Sequence, residues 1–271
     1  RVFENWLEKE ESPSAQARYF LAGAYSQTKA PKKALLHIEK AIQGVSKPPE
    51  SWLSLALSLN FDLNRLHKVK AVLKRLVVLY PTSNYWLHLA SVYSELNDEP
   101  RSLAVLELAH LAGYVTKETD LLHLSRLYVN QGLPYRAAQL LSRSMDDGMV
   151  SPQAKNLEFL GSSWIQAREL EKAVRPLEKA ARMSNDGEDF YRLAHLHFER
   201  EKWKEAANAL DAALKRGQLK NPGQAYLLKG IVYFSMKRLE SARAAFSQAH
   251  KYEKTRVSSV QWLKHLDENS N

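Results

Sequence analysis

The 271-residue sequence contains no cysteine, which removes disulfides, thiolate zinc sites, iron–sulfur ligation and cysteine nucleophiles together. Glycine is scarce, at ten residues, and none falls in a GxGxxG or phosphate-loop pattern. The ten prolines are scattered, which excludes a fibrous or proline-rich disordered chain. No run of about 18 apolar residues occurs, so no segment reads as a membrane-spanning helix. No signal-peptide pattern opens the sequence, which starts at Arg1 and reads as a mature or trimmed chain.

What is present has a globular, water-compatible balance: 45% hydrophobic, 25% charged, mean hydropathy −0.43. Lys plus Arg exceed Asp plus Glu by 39 − 30 = 9, and the pI is near 9.5. That excess suits an anionic partner without requiring one.

An internal repeat decides the fold class. A Leu or equivalent, a small residue, and a bulky residue three positions later recur seven times. The matches are Leu21-Ala22…Tyr25, Leu55-Ala56…Leu59, Leu89-Ala90…Tyr93, Leu124-Ser125…Tyr128, Leu160-Gly161…Trp164, Leu193-Ala194…His197 and Lys229-Gly230…Tyr233. Successive small residues lie 34, 34, 35, 36, 33 and 36 positions apart. Twelve residues after most of them a second stripe begins, as in Ala34…Ile38…Ala41, Ser102…Leu106…Ala109 and Ala242…Phe246…Ala249. The spacing i, i+4, i+7 is one face of a helix, so each repeat reads as two helices joined by a short turn. Small residues suit the close crossing of the pair, and one pair cannot bury both its faces, so repeats must stack. Pro31, Pro100 and Pro134 precede or open second helices, where a first-turn proline loses no hydrogen bond. Pro48, Pro49, Pro81, Pro152 and Pro222 read as breaks between repeats, and Pro176, inside a second helix, as a kink.

These residues resemble the tetratricopeptide repeat family, whose unit is 34 residues. The resemblance implies an all-α, right-handed superhelical solenoid of about seven helix-turn-helix repeats closed by a C-terminal helix. The expected units are 15–48, 49–82, 83–117, 118–153, 154–186, 187–222 and 223–256. Residues 1–14 read as the end of a preceding helix or an N-terminal cap, and 257–271 as a capping helix and tail. In that cap Val260 and Leu263 are expected to cover the last apolar face, with Trp262 to one side. The second repeat departs most, with Lys68, Val69 and Lys70 where a small residue is expected.

No catalytic residue, metal site or cofactor is expected. There is no His-Glu-x-x-His, and His195 and His197 are two apart on a helix, so they point to different faces. His197 occupies the aromatic slot of its repeat and reads as a packed core side chain. Paired carboxylates such as Asp146-Asp147 lie at helix ends and read as capping or solvated surface. The tryptophans follow the helical period, so packing explains them better than base stacking.

From Leu63 to Ser94 there is no acidic residue, while Arg65, Lys68, Lys70, Lys74 and Arg75 make a basic collar. It reads either as a solvated outer face or as contact with anionic lipid headgroups or an acidic protein.

In the tetratricopeptide family the first helix of each pair lines a concave groove. The resemblance therefore places Tyr19, Gly23 and Ser26, then Leu53, Leu57, Asn60 and Phe61, then Leu87, Ser91, Ser94 and Glu95 along it. Leu122, Arg126, Val129 and Asn130 follow, then Glu158, Ser162, Ile165 and Gln166. Tyr191, His195, Phe198 and Glu199, and Leu227, Ile231, Phe234 and Ser235, complete the lining. The Lys and Asn clamp that grips a C-terminal carboxylate in some relatives is absent. The lining suits an extended or helical apolar segment of a protein partner. A nucleic-acid partner is disfavoured by the mixed groove.

The strings Tyr80–Leu96, Leu127–Leu141, Ala154–Ala181 and Gln261–Leu266 are similar to those of tetratricopeptide-repeat proteins encoded beside TonB, ExbB and ExbD in some Gammaproteobacteria. That narrower resemblance implies export to the periplasm. It further implies a non-enzymatic scaffold assisting a TonB-type system for uptake of iron complexes, with TonB, ExbB or ExbD components as partners. A cytoplasmic nucleic-acid-associated repeat protein, and an adaptor for an envelope-processing enzyme, are the alternatives. Oligomeric state is left open.

Overall fold

The fold is described for residues 13–268 of a computed structural model; the expected cap over residues 1–14 lies almost wholly outside them. Among the described residues there are 15 helices and no strands. They form two compact units, divided between Leu127 and Tyr128.

The N-terminal unit holds α1 (Ala15–Gln27), α2 (Pro31–Gln43), α3 (Glu50–Asp62), α4 (Leu66–Leu79), α5 (Ser83–Glu95) and α6 (Glu99–Leu111). Helix α7 (Glu118–Asn130) spans the division. The C-terminal unit holds α8 (Pro134–Asp146), α9 (Ala154–Gln166), α10 (Leu170–Met183), α11 (Glu188–Glu199), α12 (Trp203–Arg216), α13 (Pro222–Ser235), α14 (Leu239–Ala249) and α15 (Glu253–Glu268). Within each unit consecutive helices pack on one another, so α1, α3, α5, α9, α11 and α13 are each the first of a pair and α15 closes the last one. The tetratricopeptide-like helical repeat expected from the sequence is the observed architecture.

Local chemistry sets the helix limits. Ser14, Thr82 and Asp98 cap α1, α5 and α6 by accepting the N–H of Ala17, Tyr85 and Arg101 at 3.2, 3.4 and 3.3 Å. Pro31 and Pro134 open α2 and α8, where their missing N–H leaves no orphan. Pro222 is also a helix opener, the first residue of α13, rather than part of a linker. Helix α10 continues as one element through Pro176.

Each pair turns over through one left-handed residue: Lys29, Asn64, Asn97, Gly132, Arg168, Glu201 and Lys237, with φ between 51° and 72°. Six of these stand seven positions after the small residue of their first helix. Asn64 stands eight after Ala56, so the second repeat is in register when read from Leu57 instead. Its second stripe is then Val69…Leu73…Leu76, and all three side chains are fully buried. The sequence reading of this repeat was one residue out of step. Leu63-Asn64 and Leu96-Asn97, which mark equivalent turns, carry the correct frame.

The core of the N-terminal unit runs through Ile38, Leu53, Leu73, Leu76 and Leu89. At the far end α15 begins at Glu253, four residues before the expected cap. Its buried stripe is Thr255, Ser259 and Leu266, with Trp262 between them, stacked on Phe246 at 5.3 Å and 10°. Val260, expected to cover the last apolar face, is 49% exposed instead. Val260 stands about 100° off the stripe of Thr255, Ser259, Trp262 and Leu266, whereas Leu263 packs against the preceding pair as expected.

Candidate binding faces

The first-helix face of the C-terminal unit can be read by register. At the fourth position after the small residue stand Ile165, Phe198 and Phe234, all half-buried. The next position holds Gln166, Glu199 and Ser235, all exposed. Consecutive first helices therefore present an apolar row beside a polar row. Nearer the helix starts lie Glu158 and Tyr191. Arg192 ties Glu158 to Asp189, at 3.2 and 3.4 Å. Burial raises the Glu158 carboxyl above its ordinary range, Asp189 adds to the rise, and Arg192 opposes it. Tyr191 and His195 meet edge to face at 4.7 Å. Desolvation lowers the His195 imidazole, against the pull of Glu199. Burial raises the Tyr191 phenol.

Two expected lining residues are partly committed to packing. Phe198 sets its ring edge against Trp203 at 5.4 Å. Phe234 packs on Trp262 and His265 of α15, at 5.4 and 5.5 Å, so the last helix takes up part of that surface. Asn130, at the end of α7, is exposed.

On the first-helix face of the N-terminal unit, Phe61, Ser91, Glu95 and Arg126 are exposed. Asn60 is not: it is 2% exposed, and its amide Nδ2 donates to the Ala56 carbonyl at 2.7 Å. Leu53 and Leu57 are likewise core. The one-residue frame error turned these side chains outward on paper, because one residue is about 100° of helical rotation. The corrected frame puts Ser54, Ser58 and Asp62 beside Phe61, positions the sequence reading missed. Ser94 turns into its own pair, donating to Ser102 Oγ at 3.0 Å.

The basic collar separates into three environments. Arg65 faces Glu39 at 3.8 Å. The Lys70 ammonium lies over the Tyr93 ring, 5.4 Å from its centre. Lys68 and Arg75 border one outer cleft between α2 and α4, and Lys74 is exposed beside it. Among the described residues, no group of three or more His, Asp or Glu side chains is arranged to hold a metal ion. No described helix is long and apolar enough to cross a membrane.

Comparison with known proteins supports the repeat reading. The tetratricopeptide repeat family model matches residues 191–253, covering α11 to α14. Curated protein sequences gave no match. Among solved structures, YrrB, described as a TPR protein with an unusual peptide-binding site, shares the fold with a TM-score of 0.54 at 16% identity. That match covers 71% of this chain and 97% of YrrB. MamA AMB-1 gives 0.51 at 23% identity over 64% of this chain and 92% of its own. The structure of Naa15/Naa10 bound to HypK-THB gives 0.68 at 12% identity, over 93% of this chain and 39% of the matched chain. At these identities the likeness is one of fold.

Proposed function

We propose that this chain is a non-enzymatic scaffold that holds a segment of a protein partner against its first-helix face. One observation carries the reading: the apolar row of Ile165, Phe198 and Phe234 runs beside the polar row of Gln166, Glu199 and Ser235. Such a stripe fits an extended or helical segment with apolar side chains on one edge. YrrB, which has the same fold, is described as having a peptide-binding site.

The finer reading is a periplasmic scaffold for a TonB-type system that drives uptake of iron complexes. It rests on the sequence strings shared with proteins encoded beside TonB, ExbB and ExbD. The test is a pull-down with the periplasmic parts of TonB and ExbD, run with the full chain and with Phe198→Ala. Capture by the full chain, weakened about tenfold in a variant that stays folded at the assay temperature, is expected. No capture, together with normal uptake of iron complexes in a deletion strain, overturns the TonB assignment. Undiminished capture by Phe198→Ala moves the binding face elsewhere.

A further inference from the structure

The second-helix side carries a recurring feature. Three outer clefts have floors drawn from the same three positions of a first helix: Leu53, Ala56 and Asn60; Leu157, Leu160 and Trp164; Phe190, Leu193 and His197. The third position is the aromatic slot of the repeat. At Trp164 the slot is filled and covered, with the Lys172 ammonium 4.9 Å from the ring centre. At Asn60 a polar side chain stands in place of the ring, and the cleft between α2 and α4 has a volume of about 230 Å³, against about 560 Å³ at Trp164.

That cleft has an unmet hydrogen-bond demand. Because Nδ2 of Asn60 donates to Ala56, its Oδ1 is fixed as the free acceptor, and it is buried without a partner. The walls supply positive charge from Lys68 and Arg75, while the one carboxylate there, Glu39, faces Arg65. Among the described residues, no carboxylate lies within ion-pairing distance of Lys68, Lys74 or Arg75. The site therefore asks for a ligand with an oxyanion at the mouth and a hydrogen-bond donor at the floor.

The surroundings choose the source of that ligand. Nine positions into the second-helix stripe, α4 and α6 carry Val78 and Leu111, 75% and 81% exposed. The other five repeats have Gln43, Asp146, Arg182, Lys215 and Lys251 at that position. Leu108, one turn before Leu111, is 56% exposed. Apolar side chains standing out beside unneutralised cations match the boundary of an anionic bilayer. A second copy of the chain would bring the same cations face to face.

We propose that the cleft between α2 and α4 binds the headgroup of an anionic phospholipid. The phosphate sits on Lys68 and Arg75, a headgroup hydroxyl or ammonium donates to Asn60 Oδ1, and Val78 and Leu111 enter the acyl boundary. Arg75 can take two phosphate oxygens through its guanidinium, while Lys68 adds a point charge.

The test is co-sedimentation of the full chain with vesicles of phosphatidylglycerol and phosphatidylcholine in equal parts, and with phosphatidylcholine alone. Binding to the mixed vesicles only, weakening as salt rises, is expected. Asn60→Tyr removes the floor acceptor and narrows the cleft while keeping every charge, and it should weaken vesicle binding at least tenfold. Lys68→Ala with Arg75→Ala should do the same; both lie at the surface, so this pair decides the matter if Asn60→Tyr does not fold. Glycerol phosphate in solution should bind far more weakly than the vesicles. Unchanged binding by a folded Asn60→Tyr chain overturns the cleft. Equal affinity for glycerol phosphate makes the ligand a soluble phosphate. Binding of an acidic peptide with no vesicle binding assigns the cations to a protein. Each of these results overturns the proposal.

Discussion

Leu177 occupies the space that a side chain on Gly161 would need: a Cβ there would stand 2.5 Å from the Leu177 Cγ. The small residue is thus a contact requirement between α9 and α10, not a flexible point. Gly161→Ala should lower stability by about 1–3 kcal/mol through overpacking, less the gain of up to about 1 kcal/mol in helix propensity. A double-mutant cycle with Leu177→Ala, followed by thermal denaturation, checks the cause. Strictly additive effects would mean the clash is relieved elsewhere.

His197 makes folding depend on pH. It is 5% exposed, and its Nδ1 is buried without a partner. Burial lowers its pKa, Arg200 lowers it further, and Glu178 and Glu205 oppose both. The unfolded chain, with a His pKa of about 6.5, then binds the proton more readily than the fold does. The stabilising contribution is complete above about pH 6.5 and is lost as pH falls through the lowered folded value. His195 shifts in the same direction. Denaturant midpoints should therefore fall between about pH 7.5 and 5.5, and His197→Tyr should fall less over that window. Parallel curves for the two chains would remove His197 as the source.

Trp262 holds the last helix. Its ring stacks on Phe246 and meets Phe234 edge on. Replacing it with Ala should cost about 3 kcal/mol, while Val260→Ala should stay within about 0.5 kcal/mol. Hydrogen exchange over α15 and α13 would report the loosening locally. Equal effects from the two substitutions would contradict the observed face.

Glu201 pays a conformational cost at φ 55°, a region where glycine is at ease. It is exposed, and its side chain is not buried in any core contact. Glu201→Gly should raise stability by up to about 1 kcal/mol, the left-handed penalty less the added freedom of the unfolded chain. A lower melting temperature for the variant would show that the backbone is not strained there.

Much of this was legible in the sequence, because the repeat is written in side-chain size. Ala34, Ile38 and Ala41 had to be buried together, and they are. The second repeat failed because both candidate small positions, Ala56 and Leu57, are buried, so size alone does not choose the frame. The turn does choose it, through Asn64, but a left-handed turn accepts Lys, Asn, Arg, Glu or Gly in this chain and so leaves little compositional trace. Trp262 was misplaced for a different reason. Which side chains of α15 meet the preceding pair depends on how the helix docks there, a tertiary fact with no short motif. The polar slot at Asn60 was hidden by the same frame error.

The three outer clefts share one construction, with Asn60, Trp164 or His197 closing a floor that begins with Leu53 and Ala56, Leu157 and Leu160, or Phe190 and Leu193. Each lies within one compact unit, and α10 walls both the Trp164 and the His197 clefts. The Asn60 cleft shares no helix with those two, so a substitution in its floor leaves their walls as they were.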